Sequence, residues 1–143
     1  MNIRRGEPFD LEQIYTVEKR AFPATPWTRD MLHQELFQQN DRRTWVMDLE
    51  GEIIGYCMLR FGPEEIHLIN MAVDPTHQKQ GTGSKLLEHI LNKIPPKTSV
   101  FLEVERGNFP AINLYIKSGF EEIGIRENYY HTGGDAIVMR LKV

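Results

Sequence analysis

The sequence predicts a mixed α/β (α+β) domain with a central sheet flanked by helices. Three observations carry that prediction. Amphipathic helical spacing recurs, at residues 11–21 and again at residues 86–94. Short apolar or alternating runs lie between the helices, among them residues 68–73 and 136–143. Turn-forming pairs punctuate the junctions: Glu50-Gly51, Gly62-Pro63 and Asp74-Pro75. At 143 residues and 41% hydrophobic content, the chain fits one domain over residues 1–143 with a core that needs no staples.

The elements follow in order. Ile3 opens a short strand. Asp10 stands at the cap of a first helix over residues 11–21, and Gln13 would complete a capping box. Ile14, Val17 and Ala21 form its inner stripe. Pro23 and Pro26 make residues 22–28 a loop, with Trp27 as its packing anchor. Thr28 caps a second helix that runs to about Gln39. Residues 44–49 and 53–60 read as a hairpin across Glu50-Gly51. A strand over residues 65–73 ends at Asp74-Pro75, because proline cannot donate to a ladder. Leu86, Leu87, Ile90, Leu91 and Ile94 line one face of a third helix, which Pro95-Pro96 stop. Residues 99–104 form a strand. Asn108 caps a helix over residues 111–118, and Gly119 suits the left-handed position after it. Two closing strands, 120–129 and 136–143, flank Gly133-Gly134.

Composition excludes several classes. A net charge of −3 argues against a general nucleic-acid binder. No apolar run approaches membrane-spanning length and no signal peptide opens the chain. Cys57 is the single cysteine, so no intrachain disulfide can form, which fits a reducing, cytoplasmic setting. His33, His67, His77, His89 and His131 are scattered without metal-ligand spacing, so no metal is expected.

The stretch Gln78-Lys79-Gln80-Gly81-Thr82-Gly83-Ser84-Lys85 carries the most chemistry. It leaves a strand and opens a helix. Glycines let a backbone approach a ligand, and the first amides of a helix lack intrahelical partners. Thr82 and Ser84 add hydroxyls, Lys79 and Lys85 add charge, and a pyrophosphate suits the position. The stretch matches neither a P-loop nor a dinucleotide fingerprint, so a plain βα turn with two glycines stays open on these residues alone.

Two blocks together resemble a known family. One is Asn70-Met71-Ala72-Val73-Asp74-Pro75 followed by Gln78-x-x-Gly81-x-Gly83. The other is Asn108-Phe109-Pro110-Ala111-Ile112-Asn113-Leu114-Tyr115, then Gly119-Phe120. They are similar to the acyl-CoA signature and the N-x-x-A-x-x-L-Y…G-F pattern of the GCN5-related N-acetyltransferases (GNAT). Ala21-Phe22-Pro23, Pro26-Trp27-Thr28, Leu102-Glu103-Val104 and Arg126-Glu127-Asn128-Tyr129-Tyr130 narrow the resemblance to ribosomal-protein-alanine N-acetyltransferases of the RimI type.

The resemblance implies a mixed, mostly antiparallel sheet in which the strands at residues 65–73 and 99–104 splay apart. Acetyl-CoA would bind there as acetyl donor. Met71, Ala72 and Val73 would meet its pantetheine arm through backbone. Gln78, Lys79, Gln80, Gly81, Thr82, Gly83 and Ser84 would hold its pyrophosphate, and Asn108 would sit near the pantetheine or the adenosine end of the cofactor. The acceptor implied is the N-terminal α-amine of a protein, such as a ribosomal protein. An α-ammonium, with pKa about 8, must lose a proton before it attacks. Glu103 is the implied base, and Tyr115 the implied acid for the departing thiolate. Phe22, Tyr129 and Tyr130 are the implied acceptor contacts. Direct attack in a ternary complex is preferred to a covalent acetyl-enzyme. Glu105 and Gly107 depart from the family pattern, which bears on acceptor identity. Two other readings remain: acetylation of a lysine side chain or small amine, and a non-catalytic acyl-CoA-binding module.

Overall fold

The computed structural model describes residues 1–37, 40–130 and 132–143. Among these residues the strands are β1 (Asn2–Arg5), β2 (Arg42–Leu49), β3 (Glu52–Gly62), β4 (Glu65–Val73), β5 (Ser99–Glu105), β6 (Glu121–Arg126) and β7 (Ala136–Lys142). The helices are α1 (Leu11–Ala21), α2 (Arg29–Phe37), α3 (Thr82–Leu91) and α4 (Phe109–Lys117). All seven strands join one sheet in the order β1-β2-β3-β4-β5-β7-β6. Neighbours are antiparallel except β4 and β5, which run parallel. That exception follows from connectivity. A parallel neighbour needs a crossover, and α3 supplies it.

Each sheet face is covered by one helix pair. Ile14 and Val17 of α1 and Leu32 and Leu36 of α2 bury against Val46, Tyr56, Met58 and Ala72. On the other face Leu86, Leu87 and Ile90 of α3 and Tyr115 of α4 pack on Cys57, Leu59, Leu68 and Leu102. Strand β3 feeds both cores, Tyr56 and Met58 to one and Cys57 and Leu59 to the other, by the alternation of a pleated strand. It is therefore buried on both sides.

Several expected junctions hold. Glu50 and Gly51 both take positive φ, 52° and 91°, the geometry of a tight hairpin turn. Thr28 Oγ1 accepts from the Met31 amide at 3.2 Å, and Asn108 Oδ1 from the Ala111 amide at 3.3 Å. Gly119 sits at φ 102° behind α4. The end of the second helix expected at Gln39 lies outside the described residues.

Others differ for identifiable reasons. Asp10 does not cap α1 with its side chain; it belongs to a 3-10 turn, Pro8–Asp10, with helical φ of −83°. Its carboxylate takes the Glu7 amide at 2.8 Å and the Arg4 guanidinium at 2.9 Å instead. Gln13 forms no box either. It bridges to the β2–β3 hairpin, accepting from the Ile53 amide at 2.9 Å and donating to the Gly51 carbonyl at 3.3 Å. The strand expected over residues 120–129 stops at Arg126, because Asn128 takes φ 52° and its amide turns to Asp135 Oδ1 at 3.1 Å. A 3-10 turn, Pro75–His77, stands between β4 and the glycine stretch.

Candidate active site

Strands β4 and β5 pair for only four residues. The register runs from Glu65↔Ser99 to Leu68↔Leu102 and stops. Beyond it β4 stays with β3 and β5 stays with β7, so the two strands part. A bulge produces the parting. Met58 pairs with Asn70 but Leu59 pairs with Leu68, which leaves Ile69 as an extra residue on β4. The extra residue also reverses the strand's faces. Ile66 and Leu68 point into the α3/α4 core, whereas Ala72 points into the α1/α2 core and Met71 packs on the α3/α4 side.

The parting leaves backbone groups open. The Asp74 amide donates to the Ile54 carbonyl of β3 at 2.8 Å. Strand alternation then turns the N–H and C=O groups of Met71 and Val73 away from β3, toward the gap. The Val73 carbonyl accepts from Gln78 Nε2 at 2.8 Å, so Gln78 folds back over this edge. Ala72 is buried on the opposite face and faces β3 with its backbone.

The two glycines of the turn do different work. Gly81 takes φ 77°, and a Cβ built on it would meet nothing within 4 Å. Its role is conformational: together with Lys79 at φ 64° it swings the chain into α3. The first helical bond runs from the Lys85 amide to the Gly81 carbonyl at 3.0 Å, so the amides of Thr82, Gly83 and Ser84 open the helix without intrahelical partners. Gly83 serves packing. A Cβ there would stand 3.3 Å from Leu114 of α4, and 3.7 Å from both Met71 and Val73. Thr82 is buried, while Lys79, Gln80, Ser84 and Lys85 are exposed.

On the other face a groove of about 330 Å³ opens at the parting itself. Its floor is made by Ile69 and Glu103, the first residue past the last pair on each strand. Trp27, Met31 and Gln34 form one wall, from the 22–28 loop and α2; Arg60 and Tyr129 stand on the other. Glu35 of α2 also borders it, buried and ion-paired with Arg60 and with Arg42 at 3.0 Å. Its second oxygen has no partner among the described residues.

Glu103 is partly buried, and its Oε1 accepts from Arg126 Nη1 at 3.1 Å. The same guanidinium lies 4.9 Å from the centre of the Tyr129 ring. Tyr129 and Tyr130 meet edge to face at 5.0 Å, but they face different surroundings. Tyr129 is 47% exposed on the groove. Tyr130 is half-buried; burial, then the charges of Tyr129, Glu105 and Glu103, push its phenol up to about 12. Tyr115 is 7% exposed and packs edge to face on Phe120. Burial pushes its phenol well above the ordinary value of 10, with Cys57 and Tyr130 adding to the shift. Both phenols stay protonated at any neutral pH. Tyr115 belongs to the core on the α3/α4 face of the sheet. The Asn108 oxygen is occupied in capping α4.

Of the expected acceptor contacts, Tyr129 lines this groove. Phe22 packs against the α1/α2 core and does not line the groove; Trp27 does. The cause is chain geometry, since Phe22 is the residue on which α1 ends. Sequence reasoning also missed Glu18, Arg60 and Glu35. Glu18 is buried on α1. Its carboxylate takes the Tyr56 hydroxyl, Asn70 Nδ2 at 2.7 Å and the Trp27 amide at 3.0 Å. A signal existed: Glu18 falls on the inner stripe beside Ile14 and Val17, where a lone carboxylate must have partners.

Among the described residues no group of three His, Cys, Asp or Glu side chains could hold a metal. No helix there is long and apolar enough to cross a membrane.

Comparison with known proteins agrees with this geometry. The model of the acetyltransferase (GNAT) family matches residues 11–120. The ribosomal protein bS18-alanine N-acetyltransferase of Escherichia coli is 34% identical over 145 residues, covering 96% of this chain and 94% of its own. The N-alpha-acetyltransferase of Sulfolobus acidocaldarius is 32% identical, covering 96% and 89%. A crystal structure of the Escherichia coli ribosomal-protein-alanine N-acetyltransferase superposes with a TM-score of 0.89 at 34% identity, over 98% of this chain and 92% of that one. With the parted strands, the glycine turn and matches of this extent, the chain belongs to the GNAT family of acetyltransferases.

Proposed function

We propose that this protein transfers an acetyl group from acetyl-CoA to the N-terminal α-amine of a protein, by direct attack within a ternary complex. The observation that carries the reading is the position of Glu103, at the mouth of the gap and on the floor of a groove walled by Trp27 and Tyr129. A carboxylate there can take the ammonium proton, directly or through water, on the face opposite the glycine turn. The open edge at Met71 and Val73 suits an extended pantetheine arm. The amides of Thr82, Gly83 and Ser84 suit its pyrophosphate. Tyr115 remains protonated and serves as the donor to the departing thiolate. Cys57 is fully buried with its thiol pushed up by that burial, which favours direct attack over an acetyl-enzyme.

Ribosomal proteins are the acceptor class suggested by the relatives, whose names specify an alanine of bS18. A cytoplasmic, single-domain enzyme accords with that acceptor. The test uses peptides that begin with a free Ala, a free bulky residue, or a blocked residue ahead of an internal lysine. Mass detection should find acetylation only at free N-termini, strongest with Ala, because a bulky first residue displaces the amine from near-attack geometry. Equal modification of the blocked lysine peptide would replace the α-amine reading with the lysine one.

A further inference from the structure

Glu18 is a buried charge that the proposed chemistry leaves unused. It is 1% exposed, and a carboxylate so placed is tolerated only when its oxygens are well paired. Both oxygens are paired, and they face different segments. Oε1 accepts from the Tyr56 hydroxyl of β3 and from Asn70 Nδ2 of β4, the latter at 2.7 Å. Oε2 accepts from the Trp27 amide at 3.0 Å. Asn70 directly follows the Ile69 bulge, and Ile69 and Trp27 lie on the floor and wall of one groove. Among the described residues, that amide bond is the sole hydrogen bond made by residues 23–27. A loop with two prolines is held to the sheet by that one polar tether and by the packing of Phe22 and Trp27 on the α1/α2 core.

We propose that Glu18 is a positioning residue for the acceptor: its carboxylate ties the 22–28 loop to β4 and thereby sets the width of the groove. The proposal rests on the reading of that groove as the acceptor site. Glu18 touches no reacting atom; it acts through Trp27. The neutral Glu18→Gln variant keeps the volume and can still accept from Tyr56 and Asn70. Its amide group then faces the Trp27 amide, donor against donor, and the tether is lost.

The test places Glu18→Gln in a Trp45→Phe background, which leaves Trp27 as the single tryptophan of the two in the chain. Four quantities are measured: KM and kcat with a free-amine Ala peptide, the acetyl-CoA Kd by calorimetry, and quenching of Trp27 fluorescence by acrylamide. The expected result is a rise of about tenfold in peptide KM, the scale of one lost charge-assisted hydrogen bond. Acetyl-CoA Kd should stay within about twofold, and Trp27 should become more quenchable. Tyr56→Phe, which loosens the same carboxylate at constant ring volume, should move KM and quenching the same way by a smaller factor, and decides the matter if Glu18→Gln does not fold. Unchanged KM and quenching overturn the proposal. So does a parallel loss of both substrates' binding, which marks a purely structural role. If the background protein acetylates no free-amine peptide, the acceptor reading fails by itself. Quenching then decides the tether, and an unchanged value overturns that as well.

Discussion

Glu103 lies on the groove and Tyr115 in the core on the α3/α4 face of the sheet, and their environments give each a distinct expected behaviour. Glu103→Gln keeps shape but cannot take a proton, so kcat should fall about 10²-fold while acetyl-CoA affinity holds. Tyr115→Phe should lower kcat by a similar factor. The structure sharpens that second case. No hydrogen bond to the Tyr115 hydroxyl exists among the described residues, so the Phe variant breaks no internal bond and should keep its melting temperature. Steady-state kinetics alongside thermal melts would check both, and unchanged kcat in the two variants would return them to structural roles. Glu103 and Tyr115 were legible as candidates because they fall in recognisable blocks. Glu18 and Arg60 were not, because their meaning lies in partners far away in sequence: Glu18 meets Tyr56 and Asn70, and Arg60 meets Glu35.

At the scale of elements, the turn into α3 makes its own prediction. Gly81 sits at φ 77°, where a β-branched side chain is strained even though no neighbour obstructs it. Gly81→Val should therefore weaken acetyl-CoA binding by more than about tenfold, through a displaced run of amides. Lys85→Ala removes one exposed charge and should change affinity by about twofold. Calorimetric titration distinguishes them, and equal affinities would remove the turn from the site. Most elements were legible from period and punctuation. The errors sit at ends, where a side chain finds a better partner than the local rule supplies. Asp10 chose Arg4 and the Glu7 amide over capping α1, and Asn128 turned to Asp135. The bulge at Ile69 was illegible, since its cause is the mismatch of two registers and no residue type announces it.

For the whole molecule, Asp74 is a clear contributor to acid sensitivity. Asp74 closes β4 and pairs with Arg20 of α1 at 2.9 Å, joining the α1 layer to the sheet. Burial disfavours its charge, but the Thr76 hydroxyl and amide, then Arg20 and His77, outweigh that and hold its carboxyl below the ordinary value of 3.8. Folding therefore favours the ionised form. The contribution is complete above the ordinary carboxylate range and is lost as pH falls below it, through the folded-state value. Asp74→Asn should cost about 2 kcal/mol at neutral pH, and the gap from wild type should narrow below about pH 4. Melting curves across pH test this. A gap that stays constant with pH would assign the loss to packing.

The short β4–β5 joint has a mechanical consequence. Four residue pairs are all that zip β1–β4 to β5–β7 within the sheet, and the joint closes through a crossover from Val73 to Ser99. A half-closed zipper is the place where cooperative opening begins, so amide exchange at residues 66–68 and 100–102 should be faster than at the β2–β3 ladder. An extended donor laid along the open edge would act as the missing teeth. The enzyme should then be most resistant to exchange when loaded, with its substrate completing its fold.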